Sequence, residues 1–274
     1  MRRFSFLSVV FCLFAFHIAA GQENSSSLHI TYLANEGVYL ESGETSIVID
    51  GLFRDGVSSY MTLPPELLER LETATGRFAD TDLVLVTHLH PDHYDAASVF
   101  RHLSNNSKAN LVAGSDVVDL LKTESGDGLK SNLDRVHAIE LDWKQDSSFT
   151  VAGVQLTALR TRHGWWKNYG LDHFGYVIEL NGMRVLHLGD LEMTEENLSQ
   201  FTEQLAVDVA ILPHWLLTYD NGIELMNQYI KTRNIIAVHI EPAKLEEITK
   251  NVHKTFPHAI IAGKALQKAS FTKP

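Results

Sequence analysis

The sequence predicts an α/β (α+β) fold, a four-layer αββα sandwich formed by one domain. Three observations carry that reading. Strand-like runs gather at the start of the ordered chain and again in its middle. Each group is followed by alternating strand and helix patterns, so each sheet has helices to cover it. No internal repeat, long linker or low-complexity stretch divides the 274 residues, and a chain of this length can bury one large core.

The elements follow in order. His29–Leu33, Gly37–Leu40 and Thr45–Asp50 are short β-like runs. Pro64–Thr75 has helical periodicity, with proline near its start. Asp82–Thr87 (DLVLVT) reads as a buried strand. Ala96–Leu103 is helical, Asn110–Ala113 a strand, and Ser115–Leu121 a helix with Ser115 as its expected N-cap. The middle group of strands comprises Arg135–Glu140, Ser148–Val151, Val154–Thr161, Gly175–Leu180 and Met183–Leu188. Ala152-Gly153 and Asn181-Gly182 fall between pairs of them as hairpin turns. Alternation then resumes: helix Glu195–Gln204, strand Val207–Leu212, helix Glu224–Arg233, strand Ile235–Val238, helix Ala243–Phe256 and a last strand Ala259–Ala262.

Composition narrows the function. Hydrophobic residues make up 45% of the chain and charged residues 21%, which excludes a disordered, collagen-like or coiled-coil protein. The net charge of −11 argues against nucleic acid as a partner, because a phosphate backbone requires a basic face. A small-molecule substrate is expected instead. Residues 1–21 read as a secretory signal peptide: Arg2 and Arg3, an apolar stretch from Phe4 to Ile18, then Ala19, Ala20 and Gly21. The apolar run is short for a membrane span, so no stable membrane insertion is expected after cleavage, and a secreted or periplasmic location is. Losing the two arginines takes the net charge from −11 to −13. Cys12, the only cysteine, goes with them, so metal ligands in residues 22–274 must be nitrogen and oxygen.

The segment Thr87–Asp95 (THLHPDHYD) carries the chemistry. His88, His90, Asp92 and His93 crowd the end of a buried strand. Imidazole and carboxylate suit Zn²⁺, and also Mn²⁺ or Fe²⁺. His88 with His90, and Asp92 with His93, are two incomplete ligand sets. Their partners are expected at other strand ends, where His163, Asp190 and His239 stand. Such edges combine a rigid support with an open side. His173, just before a strand, competes with His163 for its role.

The segment His88-Leu-His90-Pro-Asp92-His93 resembles the signature of the metallo-β-lactamase-fold hydrolases, and Asp50, His163, Asp190 and His239 follow in that family's order. The resemblance spans nearly all of residues 22–274 and implies two divalent metal ions, Zn²⁺ first. One would take His88, His90 and His163. The other would take Asp92, His93 and His239, with Asp190 bridging. Asp50 would orient a ligand histidine; a turn-forming aspartate before Gly51 is its plainer reading. Asp92 and Asp190 are thereby catalytic as well as ligating. The implied reaction is cleavage of an ester, lactone, amide or phosphodiester by a hydroxide activated between the metals. The text HYDAA, ILPHW and AVHIEP resembles the branch of ascorbate-phosphate lactonase-like and phospholipase D-like hydrolases. The missing glycine turn after Asp92 and the lack of a Cys ligand weigh against a true β-lactamase. His90, where flavodiiron proteins carry Glu, weighs against an iron-dependent redox enzyme. A non-catalytic metal-binding protein on the same fold is the main alternative; against it, all seven ligand positions are filled.

Further residues have open readings. His214, after the strand VDVAIL, is a candidate donor to an oxyanion or leaving group, or a structural histidine. His187 reads as core or as support for a ligand. His102, His137, His253 and His258 read as structural or solvated. Trp165, Trp166, Trp215 and Tyr60 could wall a pocket or pack beneath loops. Lys167 and Arg54 could meet an anionic group or remain solvated. The loops Leu52–Leu63, Gly164–Asp172 and Leu216–Ile223 are expected to select the substrate, which their aromatics and few cations mark as neutral or mildly polar. Asn24, Asn105 and Asn197 begin N-x-S sequences that would accept glycans in a eukaryotic secretory route.

Overall fold

A computed structural model describes residues 27–164 and 170–273. The expected signal peptide with Cys12, Asn24, and the residues Trp165, Trp166 and Lys167 lie outside the described residues.

Two sheets of seven strands pack face to face. The first contains β1 (Ser27–Ala34), β2 (Gly37–Ser42), β3 (Thr45–Ile49), β4 (Leu83–Leu85), β5 (Asn110–Gly114) and β6 (Val136–Ile139). The second contains β7 (Asp146–Val151), β8 (Val154–Thr161), β9 (His173–Leu180), β10 (Met183–His187), β11 (Val209–Pro213), β12 (Asn234–Val238) and β13 (Ile260–Ile261). A final strand, β14 (Lys268–Thr272), returns to the first sheet and pairs antiparallel with β1. The orders are β14-β1-β2-β3-β4-β5-β6 and β13-β12-β11-β10-β9-β8-β7.

Helices α1 (Pro65–Glu72), α2 (Ala96–Asn105) and α3 (Ser115–Ser125) cover the first sheet. Helices α4 (Glu195–Leu198), α5 (Trp215–Thr218), α6 (Asp220–Tyr229) and α7 (Leu245–Thr255) cover the second. The four expected layers are therefore present. Strand periodicity assigns each side chain to a layer. Ile47, Ile49, Leu83 and Leu85 point between the sheets and meet Val209 and Ile211. Their neighbours Val48 and Val84 point outward onto Leu71 and Val99. Ala210 and Leu212 point outward onto Leu216 and Val252. Each such leucine or valine contributes about 1.5–3 kcal/mol by leaving water.

The inner parallel strands β4, β5, β11 and β12 are buried on both faces, which is why they read as unbroken apolar runs, while the edge strands β6 and β13 are only partly buried. Both expected hairpin turns form, with Ala152, Gly153, Asn181 and Gly182 all at positive φ, the backbone of a two-residue hairpin loop. Strands β8, β10, β11 and β12 run in one direction. Their C-terminal ends therefore share one edge of the sandwich.

Several expectations are corrected. Ser115 does not cap α3; Gly114 occupies that position, and the Ser115 hydroxyl donates to the Ile139 carbonyl at 3.3 Å. Asp95 is a true N-cap, accepting from the Ser98 amide at 2.7 Å. The expected helix Glu195–Gln204 is only α4 followed by a 3₁₀ turn, Ser199–Phe201. The helix expected at Glu224–Arg233 begins earlier, as α6, and the supposed loop before it forms α5. Gly222 permits this: a Cβ there would lie 2.6 Å from the Trp215 carbonyl oxygen, so only glycine lets α6 pack so closely on α5. The strand expected to be last is followed by β14, whose alternating burial is an ordinary strand pattern. A 3₁₀ segment, Gly126–Arg135, was not expected at all.

Candidate metal centre

All seven expected ligands meet at the shared edge. His88 to His93 follow β4, His163 follows β8, Asp190 follows β10, and His239 follows β12. Both sheets thus contribute. His88, His90, His163 and Asp190 present ligand atoms within 4.8 Å of one another, and so do Asp92, His93 and His239. Asp190 links the two groups. Its Oδ1 lies 3.2 Å from Nε2 of both His93 and His239. Its Oδ2 lies 3.2 Å from His163 Nε2 and 4.0 Å from His88 Nε2. Asp92 Oδ2 lies 3.7 Å from His239 Nε2 and 3.9 Å from His93 Nε2.

These spacings test the fit of a metal. Bonds of about 2.0–2.2 Å to a tetrahedral ion separate the ligand atoms by roughly 3.4 Å, the middle of the observed range. Nε2 of His88, His93 and His239 and Oδ1 of Asp190 are buried without hydrogen-bond geometry to any described partner. Unpaired buried polar atoms are costly. Here they converge, and the donor set is one that divalent transition metals take.

Support comes from behind the candidate ligands. Asp50, at positive φ, accepts from the Thr87 amide at 2.8 Å and sits 2.8 Å from His93 Nδ1. That fixes the His93 ring with Nε2 outward, the role the resemblance implied for Asp50. His88 Nδ1 is 3.0 Å from the Thr87 hydroxyl. His163 Nδ1 contacts the Gly164 carbonyl. Gly189, at positive φ, turns the chain into Asp190; a Cβ there would meet Thr87 at 2.9 Å. His239, also at positive φ, has its ring 4.3 Å from Tyr60 and 5.0 Å from Trp215.

Charge is redistributed within the cluster. Burial favours neutral Asp190, yet His239 and His93 hold its carboxyl well below the usual range. Burial opposes charge on His93, yet Asp190 and Asp50 raise its pKa well above the ordinary value. Burial, followed by the charge of His93, pushes His88 well below it. Burial, followed by His163, lowers His90 to about 4.

Other expected residues fall into place. His173 is buried in β9 with Nδ1 2.7 Å from the Thr161 hydroxyl. Its ring packs 5.2 Å from His88 and 5.5 Å from His163, outside either ligand group. His187 is a support, with Nε2 3.0 Å from the Glu36 carbonyl. Arg54 does not face a substrate: it pairs with Glu72 at 2.7 Å and Asp95 at 3.3 Å. His102, His137 and His253 bond the Leu71 carbonyl, the Asn110 side chain and the Ala259 carbonyl. Asn197 is fully buried, tied to the Arg162 backbone and the Trp143 ring nitrogen, so it accepts no glycan in the folded protein.

A cleft of about 840 Å³ opens over the cluster. Tyr60, Leu191, Met193, Trp215, Tyr219 and Ile248 give it apolar walls, and His214 enters beside Trp215. The first and third expected loops contribute Val57, Tyr60, Thr218 and Tyr219; residues of α7 and of Leu191–Thr194 were not anticipated there. The sequence reading also missed Asn35 and Glu36 in the β1–β2 turn. Asn35 Nδ2 donates to Asp92 Oδ2 at 3.1 Å, and its carbonyl accepts from the His239 amide at 3.1 Å. The signal available was an acid and an amide interrupting an apolar stretch, Tyr32 to Leu40.

Residues 45–259 match the family described as the beta-lactamase superfamily domain. The chain belongs to that family. It is 27% identical over 203 residues to a UPF0173 metal-dependent hydrolase of Polynucleobacter asymbioticus, covering 67% of this chain and 66% of the relative. A relative of the same description from Methanoculleus marisnigri is 27% identical over 241 residues, covering 83% and 90%. Among solved structures, a possible metal-dependent hydrolase from Veillonella parvula superposes with a TM-score of 0.63 at 16% identity, over 89% of this chain and 99% of that one. The isothiocyanate hydrolase from Delia radicum gut bacteria gives 0.62 at 14% identity, over 89% and 100%. These two likenesses establish the fold.

Proposed function

We propose that the protein is a metal-dependent hydrolase of small-molecule esters, lactones or amides, whose site would hold two divalent cations, zinc first and manganese or iron as alternatives. The convergence of buried, unpaired His88, His93, His239 and Asp190 ligand atoms carries this reading. His88, His90 and His163 would hold one cation, and Asp92, His93 and His239 the other, with Asp190 between. When bound, such a pair would lower the pKa of a water toward neutrality and supply charge that stabilises a developing oxyanion.

The chain's own groups do the rest. Asp50 holds His93 and Asn35 holds Asp92, so both ligands are set before substrate arrives. His214 lines the cleft with Nδ1 unpaired, and burial, followed by His239, lowers its pKa to about 4. It is therefore neutral at pH 7 and able to hydrogen-bond an oxyanion or leaving group. The apolar walls hold the organic part of the substrate and limit water. Lys244, a cation on the cleft, is paired with Glu241 at 2.7 Å, which supports a neutral ester, lactone or amide ahead of a phosphodiester.

The proposal includes export. The pattern of residues 1–21 is that of a secretory leader, and N-terminal sequencing of the protein recovered outside the cytoplasm should begin near residue 22. The site is tested by metal content of residues 22–274 beside an Asp190→Ala variant. About two metals per chain in the parent, with loss in the variant, are expected. A parent that binds no zinc, manganese or iron overturns the reading.

A further inference from the structure

The β1–β2 turn brings to the metal centre a carboxylate that belongs to neither expected ligand set. Asn35 and Glu36 are the two residues between Ala34 and Gly37. Their backbone is held on both sides: the Asn35 carbonyl accepts from the His239 amide, and the Glu36 carbonyl lies 3.0 Å from His187 Nε2. The Glu36 side chain is 0% exposed, and neither carboxylate oxygen has a hydrogen-bond partner among the described residues. One oxygen lies within 4.8 Å of the ligand atoms of His93 and Asp190.

His93 is the charged neighbour that acts on it, and no hydrogen bond ties the two. His187 Nδ1, 4.0 Å from Oε2, already accepts from the Gly189 amide at 3.2 Å. Burial keeps the His187 ring neutral by lowering its pKa. No lysine or arginine pairs with Glu36 among the described residues. A buried carboxylate in such a place calls for a cation.

We propose that Glu36 directs a further oxygen ligand at the metal position of Asp92, His93 and His239, making it the harder of the two. This rests on the two-cation reading above. That position would then draw on three carboxylates and two imidazoles. The other has three imidazoles and the shared Asp190. Thiolate-free nitrogen sites suit zinc, whereas added carboxylates shift preference toward manganese or ferrous iron. The centre is therefore built for two unlike cations.

The test loads the full chain and Glu36→Gln with equimolar Zn²⁺ and Mn²⁺. Metal content after dialysis, Mn²⁺ affinity by electron paramagnetic resonance, and the metal-induced shift in Tm are then measured. The parent is expected to hold one zinc and one manganese. The variant should keep the zinc, bind Mn²⁺ at least tenfold more weakly, and gain less Tm on loading. A variant with parental selectivity, affinity and Tm shift overturns the proposal while leaving the two-cation reading standing. A parent that binds neither metal overturns both. Should Glu36→Gln fail to fold, Glu36→Asp keeps the charge but withdraws it by one methylene, and the same loss of Mn²⁺ affinity is expected; unchanged affinity counts against the proposal.

Discussion

Asp50 holds the His93 ring from behind, Oδ2 to Nδ1 at 2.8 Å, while His93 Nε2 looks toward Asp190 at 3.2 Å. The carboxylate fixes the tautomer and the direction of the other nitrogen at once. Removing it frees the ring without deleting a ligand. Asp50→Ala is expected to lower metal affinity about 10–100-fold, the usual effect of losing such a partner. Competition with a chromogenic chelator measures it; parental affinity would remove Asp50 from the site.

The metal-free protein should lose stability as pH falls from about 6.5 toward 4. His90 and His214 have folded pKa values of about 4, and His88 and His173 are pushed well below the ordinary value by burial. The unfolded chain therefore binds more protons in that window, and stability rises with pH across it. His93 has the opposite sign: its pKa is raised, so its contribution is complete below about 6.5 and fades as pH climbs through its folded value. Urea midpoints between pH 4 and 7 should rise with pH, and a flat profile would refute the assignment.

Asn197 should resist glycosylation in a eukaryotic secretory host, despite its N-x-S sequence. Its amide is spent on the Arg162 backbone, the Glu192 carbonyl and the Trp143 ring. Peptide mass spectrometry should find it unmodified in folded protein. Asn197→Ala leaves several buried groups unpaired and is expected to cost about 2–4 kcal/mol, read from denaturant midpoints.

Gly222→Ala places a methyl 2.6 Å from the Trp215 carbonyl. Helix α6 must move away from α5, at a cost of about 1–3 kcal/mol. Because α5 carries Trp215 on the cleft wall and against His239, KM should rise more than kcat falls once a substrate is in hand. A Tm equal to the parent's would show that the close approach is not needed.

The candidate ligands were legible because each ends a strand that reads plainly from its apolar run, such as DLVLVT before His88. Their spacing within THLHPDHYD needed no tertiary information. Glu36 was not legible: it stands between the short β-like runs His29–Leu33 and Gly37–Leu40, and only folding brings its carboxylate near His93. Arg54 was misjudged for the same reason, since Glu72 and Asp95 come from distant sequence. A short helix such as α5 escapes pattern reading, and α4 was expected to run longer than it does, because fewer than two turns give periodicity too little to repeat.

His88, His90, Asp92 and His93 hang from one sheet, and His163, Asp190 and His239 from the other. Cations bound among them would be a rivet through the seam of the sandwich. Stripping them would do more than stop chemistry: the two halves would lose a cross-link at that edge, and chelator should hasten proteolysis of the intact chain.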